Sequence, residues 1–254
     1  MAESRDDSAR QRAGRKSLGL SLHNIYETLA ISMPTVADAA RGLVTKNKSD
    51  ARLAGWAKNI VHNARLGIDV VGRENMTLVP EGLGGSFLVM SNHQSLYDVP
   101  ILFYVLGANL RMITKKELFN VPIFGKALGL GGFISIDRNN RNAALESLAI
   151  AKKMLVDGTH VWIAPEGTRS RSGEILPFKK GGFVLALEAS LPVLPVTLRG
   201  TRDVLVADGV RSSPGAHVLV TIHKPIDPRP YASEGKSGRD RLMNDVRVVL
   251  ESAL

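Results

Sequence analysis

The chain of 254 residues contains no cysteine. A disulfide framework, a thiolate nucleophile and a cysteine-rich zinc site are therefore excluded. Aromatic residues make up only 5% of the chain, too few for the stacking platforms on which single-stranded nucleic acids bind. We therefore expect no nucleic-acid partner, and the missing cysteines fit a protein that works in a reducing compartment.

Long hydrophobic runs are also missing. The two most apolar stretches, residues 28–37 and 99–110, are too short to cross a bilayer, and each contains a proline. The N-terminus carries Glu3, Asp6 and Asp7 and lacks the apolar core of a signal peptide. These features predict a soluble or peripheral protein.

Several familiar site motifs are incomplete. The Gly-Lys-Ser of residues 235–237 resembles the end of a phosphate-binding loop, but Pro230 stands where that motif requires a glycine. Gly129 and Gly131 lack the third glycine of a dinucleotide fingerprint, and Ser86 lacks the closing glycine of a nucleophile elbow. No pair of histidines has zinc-site spacing with an acidic partner. The sequence thus supports neither covalent nor metal catalysis, and we expect no metal and no cofactor.

Hydrophobic residues nevertheless make up 44% of the chain, enough for one large α/β domain, alone or with an appendage. Lysine and arginine outnumber aspartate and glutamate by 33 to 24, which gives a net charge of +9. An excess of this size suits an anionic membrane surface, a phosphorylated substrate or nucleic acid.

The first 66 residues differ in pattern from the rest. Residues 1–16 are polar and mixed in charge, and we predict a disordered arm there. A helical stripe of apolar residues follows, and it consists of Leu18, Leu22, Ile25, Tyr26, Leu29 and Met33. Pro34 is expected to break this helix, with a shorter helix over residues 35–44.

A second amphipathic helix is predicted around Trp56. Its apolar face consists of Leu53, Trp56, Ala57, Ile60, Val61 and Ala64, and its other face is basic. Two interpretations stay open: the helix covers the core of the main domain, or it lies at a membrane interface. We therefore treat residues 17–66 as an amphipathic helical appendage that is a candidate for membrane contact, and residues 67–254 as the main domain.

Strands alternate with helices in the main domain. The predicted strands cover residues 68–71, 86–90, 111–114, 131–138, 160–164, 194–198 and 218–222. This alternation predicts an α/β fold with a mixed, largely parallel sheet flanked by helices.

The strand over residues 86–90 leads into a polar turn that holds His93 and, five residues later, Asp98. A carboxylate on the Nδ1 atom of a histidine fixes the tautomer that leaves Nε2 free to act as a base. None of the other five histidines has an acidic residue five positions later. The alternative, a structural loop histidine and a helix-capping aspartate, stays open on spacing alone.

Cationic residues stand at the ends of other predicted strands: Lys115, Arg138 and Arg169. The planar fork of arginine suits phosphate oxygens. A base without its own nucleophile implies that the substrate supplies a hydroxyl group. The alternative is that the arginines pair with carboxylates close in sequence, such as Asp137 and Glu166.

Four sequence blocks occur in a characteristic order. They are residues 92–98 (Asn-His-Gln-Ser-Leu-Tyr-Asp), 132–138 (Gly-Phe-Ile-Ser-Ile-Asp-Arg), 166–170 (Glu-Gly-Thr-Arg-Ser) and 191–196 (Leu-Pro-Val-Leu-Pro-Val). Together they resemble the signature blocks of the glycerolipid acyltransferases, of the bacterial 1-acylglycerol-3-phosphate acyltransferase type. The resemblance extends over roughly residues 66–226 and implies the fold of that family for the main domain.

The resemblance also implies a reaction. His93, held by Asp98, would deprotonate the free sn-2 hydroxyl of 1-acylglycerol 3-phosphate, which attacks an acyl thioester directly to give phosphatidic acid. The acceptor phosphate would be bound by Glu166, Gly167, Thr168, Arg169, Arg138 and Lys115. Backbone amides near Gly167 would act as oxyanion donors.

The implied partners are an acyl-CoA or acyl-ACP donor, a lysophosphatidic acid acceptor and a membrane lipid surface. A peripheral location on the cytoplasmic face of the cell membrane is expected, with interfacial helices in place of an apolar N-terminal segment. Two alternatives stay open. The acceptor is another lysolipid, such as a lyso-ornithine lipid or a lysophospholipid, or the chain is a non-catalytic, basic membrane-surface binding protein.

Overall fold

A computed structural model describes residues 15–137 and 140–254. Most of the predicted arm, as well as Arg138, lies outside the described residues. The helices are α1 (Leu18–Ala39), α2 (Lys46–Asn63), α3 (Asp98–Leu106), α4 (Phe124–Leu130), α5 (Arg141–Val156), α6 (Gly181–Ala189), α7 (Thr201–Val204), α8 (Arg229–Ala232) and α9 (Gly235–Glu251). The strands are β1 (Gly67–Val71), β2 (Leu88–Ser91), β3 (Leu110–Lys115), β4 (Ile134–Ile136), β5 (His160–Ile163), β6 (Val193–Arg199) and β7 (His217–Ile222).

In the part of the chain that the structure describes, seven strands form one sheet in the order β1-β7-β6-β2-β5-β3-β4. The β6–β7 pair is antiparallel, and the other pairs are parallel. Strands β2 to β6 therefore point the same way, so the carboxyl ends of β2, β5 and β3 lie side by side. Open α/β sheets place their sites at this edge.

The sheet separates two apolar cores. In β2, the side chain of Val89 belongs to the core that contains α2 and α3, whereas Leu88 and Met90 belong to the core that contains α5, α6 and α9. All three side chains are buried, as expected for a parallel strand covered on both faces. The predicted α/β fold is confirmed, and each predicted strand has its counterpart in the sheet.

The expected break at Pro34 is wrong, because α1 runs through Pro34 to Ala39. Proline costs a helix one backbone hydrogen bond, but its fixed φ is compatible with the helix. Neighbouring hydroxyl groups add bonds to the same turns: Thr35 donates to the carbonyl of Ile31 at 2.7 Å, and Ser32 donates to that of Thr28 at 2.7 Å. The helix therefore continues for more than a turn beyond the proline.

The two N-terminal helices bury opposite kinds of surface. The apolar face of α2 is in the core, where Leu53, Ala57, Ile60, Val61 and Ala64 are buried and the helix packs on α3. The apolar face of α2 is therefore not available to a membrane, and we propose that α2 belongs to the main domain rather than to an appendage.

Helix α1 turns its polar side inward. Asn24 donates to the hydroxyl oxygen of Tyr97 at 2.5 Å, and Thr28 accepts from the indole of Trp56 at 3.1 Å. The stripe that the sequence predicts is exposed along its whole length (Leu18, Leu22, Ile25, Tyr26, Leu29 and Met33). Among the described residues, no helix combines the length and the apolar character needed to cross a membrane.

Candidate active site

The turn after β2 brings His93 and Asp98 together. The Nδ1 atom of His93 lies 2.7 Å from Oδ2 of Asp98, which is fully buried at the start of α3. The same oxygen accepts hydrogen bonds from the backbone N–H groups of Gln94 at 2.8 Å and Ser95 at 2.9 Å. One carboxylate oxygen thus holds both the ring and the turn, and it leaves Nε2 as the nitrogen available to a substrate.

Polar side chains fix the rest of this turn to the sheet. The side chain of Asn92 pairs with Leu198 of β6 through two bonds of 2.8 Å, which imitates a rung of the sheet. The indole of Trp162 donates to the hydroxyl of Ser91 at 2.9 Å, and its ring stands edge-on to that of His93, 5.5 Å between centroids. Sequence analysis missed Trp162 because its aromatic side chain in a strand indicates only a core position.

A second loop, residues 164–170, follows the neighbouring strand β5. Glu166 is only 2% exposed. Its Oε1 accepts from the backbone N–H of His93 at 2.8 Å, and its Oε2 accepts from that of Leu176 at 2.8 Å. Burial raises the pKa of Glu166, and these two hydrogen bonds oppose that rise. Each carboxylate oxygen is therefore engaged by one backbone donor.

The loop turns at Gly167, whose φ of +72° is unfavourable for other residues. The N–H of Gly167 donates to the carbonyl of Ala164 at 3.0 Å, so that particular amide is already engaged. Beyond the turn, Thr168 is exposed and Arg169 is half-buried. Arg169 has no carboxylate partner among the described residues.

His93 lines a cavity of about 1380 Å³ together with Lys115, Gly167, Thr168 and Arg169. Lys115 is exposed at the end of β3, where its neighbour Lys116 is paired with Asp137 at 2.6 Å. The remaining walls of the cavity are mostly apolar and come from α1, α2, α4 and the strand ends. His93 and several cations thus share one cavity with a large apolar volume.

Two further cations, Lys179 and Arg138, are close in sequence to the residues that line the cavity. Lys179, a cation that follows Arg169 closely in the sequence, also lines the cavity, and its backbone N–H is bonded to the carbonyl of Pro165 at 2.7 Å. Arg138 lies outside the described residues. Over the ranges 15–137 and 140–254, no group of three or more histidine or carboxylate side chains is arranged to hold a metal ion.

Comparisons with known proteins give one consistent family. A family model described as Acyltransferase matches residues 67–199. The 1-acyl-sn-glycerol-3-phosphate acyltransferase beta of Homo sapiens is 40% identical over 110 residues, which are 43% of this chain and 40% of that protein. A 1-acyl-sn-glycerol-3-phosphate acyltransferase of Chlamydomonas reinhardtii is 30% identical over 187 residues, or 74% of this chain and 53% of that protein.

A solved structure is similar over nearly the whole chain. The crystal structure of the 1-acyl-sn-glycerophosphate (LPA) acyltransferase PlsC from Thermotoga maritima has a TM-score of 0.74 and 26% identity, and the match covers 93% of this chain and 94% of that one. By contrast, the chain spans about half the length, or less, of the curated relatives that it matches.

Proposed function

This chain belongs to the acyltransferase family, and from that premise we propose that it moves a fatty acyl group from an acyl thioester to the free sn-2 hydroxyl of 1-acylglycerol 3-phosphate, giving phosphatidic acid. The observation that carries the proposal is the 2.7 Å contact between His93 and Asp98 in a cavity that also holds Arg169 and Lys115. The curated relatives that bear the name of this activity support it.

His93 acts as the general base. Its Nε2 takes the proton of the acceptor hydroxyl, and the oxygen attacks the carbonyl carbon of the thioester. When the tetrahedral intermediate collapses, the carbon–sulfur bond breaks and the thiolate takes the proton back from His93. Asp98 stabilises the imidazolium between these two transfers. Because the acceptor supplies the nucleophile, no acyl-enzyme intermediate is needed.

The cationic side of the cavity binds the acceptor phosphate. Arg169 offers a planar pair of donors without a competing carboxylate among the described residues, and Lys115 adds a second charge. The turn at Gly167 and Thr168 presents backbone close to the same anion. For Arg138 the family resemblance is the sole support.

The apolar part of the cavity accepts acyl chains. A volume of about 1380 Å³ exceeds the usual range for small-molecule pockets, which is roughly 300–1,000 Å³. Walls that include Leu118, Leu128 and Phe133 favour a hydrocarbon chain over a polar substrate. The proposal covers either acyl-CoA or acyl-ACP as the donor.

An acyl-transfer assay tests the proposal. Purified full-length protein is given lysophosphatidate, a lyso-ornithine lipid or lysophosphatidylcholine, each with acyl-CoA and with acyl-ACP. We expect lysophosphatidate to be the preferred acceptor. Preference for another lysolipid would change the acceptor but keep the chemistry. Folded protein that acylates none of them would favour the non-catalytic, membrane-surface alternative.

We also propose that the protein binds the cytoplasmic face of the membrane through α1. Its exposed apolar stripe is available to the lipid boundary, while its polar side is occupied by contacts with the main domain. Arg15 and Lys16 are exposed just before the helix. Each cation near an anionic surface contributes about 1 kcal/mol, so binding should weaken at high salt.

Deleting residues 1–66 would remove the buried face of α2, so a matched pair of point variants is the better test of this membrane contact. Ile25 on α1 is 57% exposed, and Ile150 on α5 is 52% exposed. Helix α5 belongs to the core on the opposite face of the sheet from α2 and α3. We expect Ile25→Glu to lose most co-sedimentation with anionic vesicles and Ile150→Glu to bind like wild type. Equal binding by both variants would mean that another surface contacts the lipid, such as the exposed residues Val121 and Ile123 near α4.

A further inference from the structure

Glu166 joins the two loops of the active site. It is buried, and it bridges the backbone N–H groups of His93 and Leu176, each at 2.8 Å. The carbonyl of His93 accepts from the backbone N–H of Ser170 at 2.7 Å. Both polar backbone groups of the base are thus bound by residues 166–170, the same loop that carries Arg169.

These contacts suit a carboxylate better than an amide. Each oxygen of Glu166 accepts from one N–H group, and an ionised carboxylate accepts at both oxygens. A glutamine could accept at one of them only, and its NH₂ group would face the second N–H. That N–H group would then be a buried donor without an acceptor, which lowers the free energy of unfolding.

The same contacts argue against a direct bond to the acceptor phosphate. An ionised carboxylate has no hydrogen to donate, and its charge repels a phosphate group. Neither property helps to bind the phosphate. Both suit a group that holds backbone N–H groups in place.

We propose that Glu166 is a positioning residue that fixes the backbone of His93 relative to Arg169, so that the base and the phosphate-binding arginine keep the spacing that the acceptor requires. This inference rests on the proposed function. A base displaced by about 1 Å can lose about 10²-fold in rate even when the substrate still binds.

Steady-state kinetics of Glu166→Gln provide the first test. We expect kcat to fall by about 10- to 10²-fold, while the KM for lysophosphatidate changes less than about twofold. The matched control is Glu174→Gln, which removes an exposed carboxylate close by in the chain and should behave like wild type. An acceptor KM raised about tenfold at unchanged kcat would assign Glu166 to the phosphate and overturn the proposal, and so would wild-type kinetics.

Nuclear magnetic resonance of the histidine rings provides a second readout that needs no turnover. In ¹⁵N-histidine protein, the Nδ1 proton signal that disappears in His93→Ala belongs to the ring bonded to Asp98. We expect this signal to shift or broaden in Glu166→Gln and to stay unchanged in Glu174→Gln. An unchanged signal in Glu166→Gln would overturn the proposal even if the wild type transferred no acyl group, so the two failures can be told apart.

Glu166→Asp covers the case in which the amide variant does not fold. It keeps both acceptor oxygens and the charge, but it is one methylene shorter. We expect it to fold and to show the same split, a lower kcat with little change in acceptor KM. Wild-type kcat in Glu166→Asp would contradict the proposal that the length of the Glu166 side chain positions His93.

Discussion

The two loops that meet at the cavity are built in different ways. In the turn after β2 the acidic residue, Asp98, is fully buried, and one of its oxygens accepts three hydrogen bonds. The loop after β5 instead leaves the cation Arg169 half-buried, with no carboxylate partner among the described residues. Under the proposed function, the group that transfers a proton is bonded to a buried carboxylate, whereas the group that binds the phosphate has no carboxylate partner among the described residues.

We propose that this site assigns chemistry to the turn after β2 and acceptor binding to the loop after β5. Changes in the turn after β2 should lower kcat, and changes at Arg169 should raise the KM for the acceptor. Glu166 lies between the two, because it belongs to the second loop but binds the backbone of the first.

The largest effect is expected for His93→Ala. Loss of the base should lower kcat by about 10²- to 10⁴-fold with little change in acceptor KM. His62→Ala, which removes an exposed histidine on α2, is the control and should stay active. Near-normal turnover by a folded His93→Ala enzyme would contradict the assignment of chemistry to the turn after β2.

Asp98→Asn should have the next largest effect, a fall in kcat of about 10²-fold or more, since the imidazolium loses its negative partner. The new amide can keep its oxygen toward the three donors. Its NH₂ group then occupies the position of Oδ1, which is buried and has no partner among the described residues. The free energy of unfolding should therefore also fall, by about 1–3 kcal/mol, as measured by urea unfolding. Wild-type kcat would show that His93 needs no acidic partner.

A smaller effect is expected for substitution of Arg169, and it should change the acceptor KM rather than kcat. Lysine keeps the charge but cannot reproduce the paired donors, so Arg169→Lys should raise the acceptor KM about tenfold with a modest change in kcat. Arg171→Lys, at an exposed arginine paired with Asp208, should leave both parameters unchanged. If the donor KM rises instead, Arg169 binds the thioester substrate.

The smallest effect concerns stability and pH. The pKa of Glu166 is raised in the folded state, so between the ordinary value and the raised value the folded chain binds more protons than the unfolded chain. Stability in that window therefore decreases as pH increases. Glu166→Gln lacks this titration. The unfolding free energy of wild type minus that of the variant should therefore decrease as the pH increases from about 4, the ordinary pKa of glutamate. A difference that increases with pH would show that the pKa of Glu166 is lowered on folding.

The strands and the pairing of His93 with Asp98 could be predicted from sequence because both follow from local patterns. Short apolar runs between turn residues identify strands, and the acid partner lies five residues from the histidine. The contacts of Glu166 could not be predicted, because its partners His93 and Leu176 are brought to it by the pairing of β2 with β5 and by the path of the next loop.

The N-terminal helices show what hydrophobic periodicity cannot predict, namely which face of a helix is buried. Both have an apolar stripe at helical spacing, which indicates a face but not what covers it. In α2 that face packs on α3, whereas in α1 hydroxyl and amide groups such as Asn24 and Thr28 find partners on the main domain and the apolar face is exposed. The contacts of the polar residues, which sequence cannot provide, decide the orientation.

The most direct test of the division between base and phosphate site is a specificity ratio. It is kcat/KM for lysophosphatidate divided by kcat/KM for a monoacylglycerol, which has the same hydroxyl but no phosphate. We predict that His93→Ala lowers both values equally and keeps the wild-type ratio, and that Arg169→Lys lowers the ratio about tenfold. A ratio that changes in His93→Ala and is retained in Arg169→Lys would contradict the assignment of chemistry to one loop and of phosphate binding to the other.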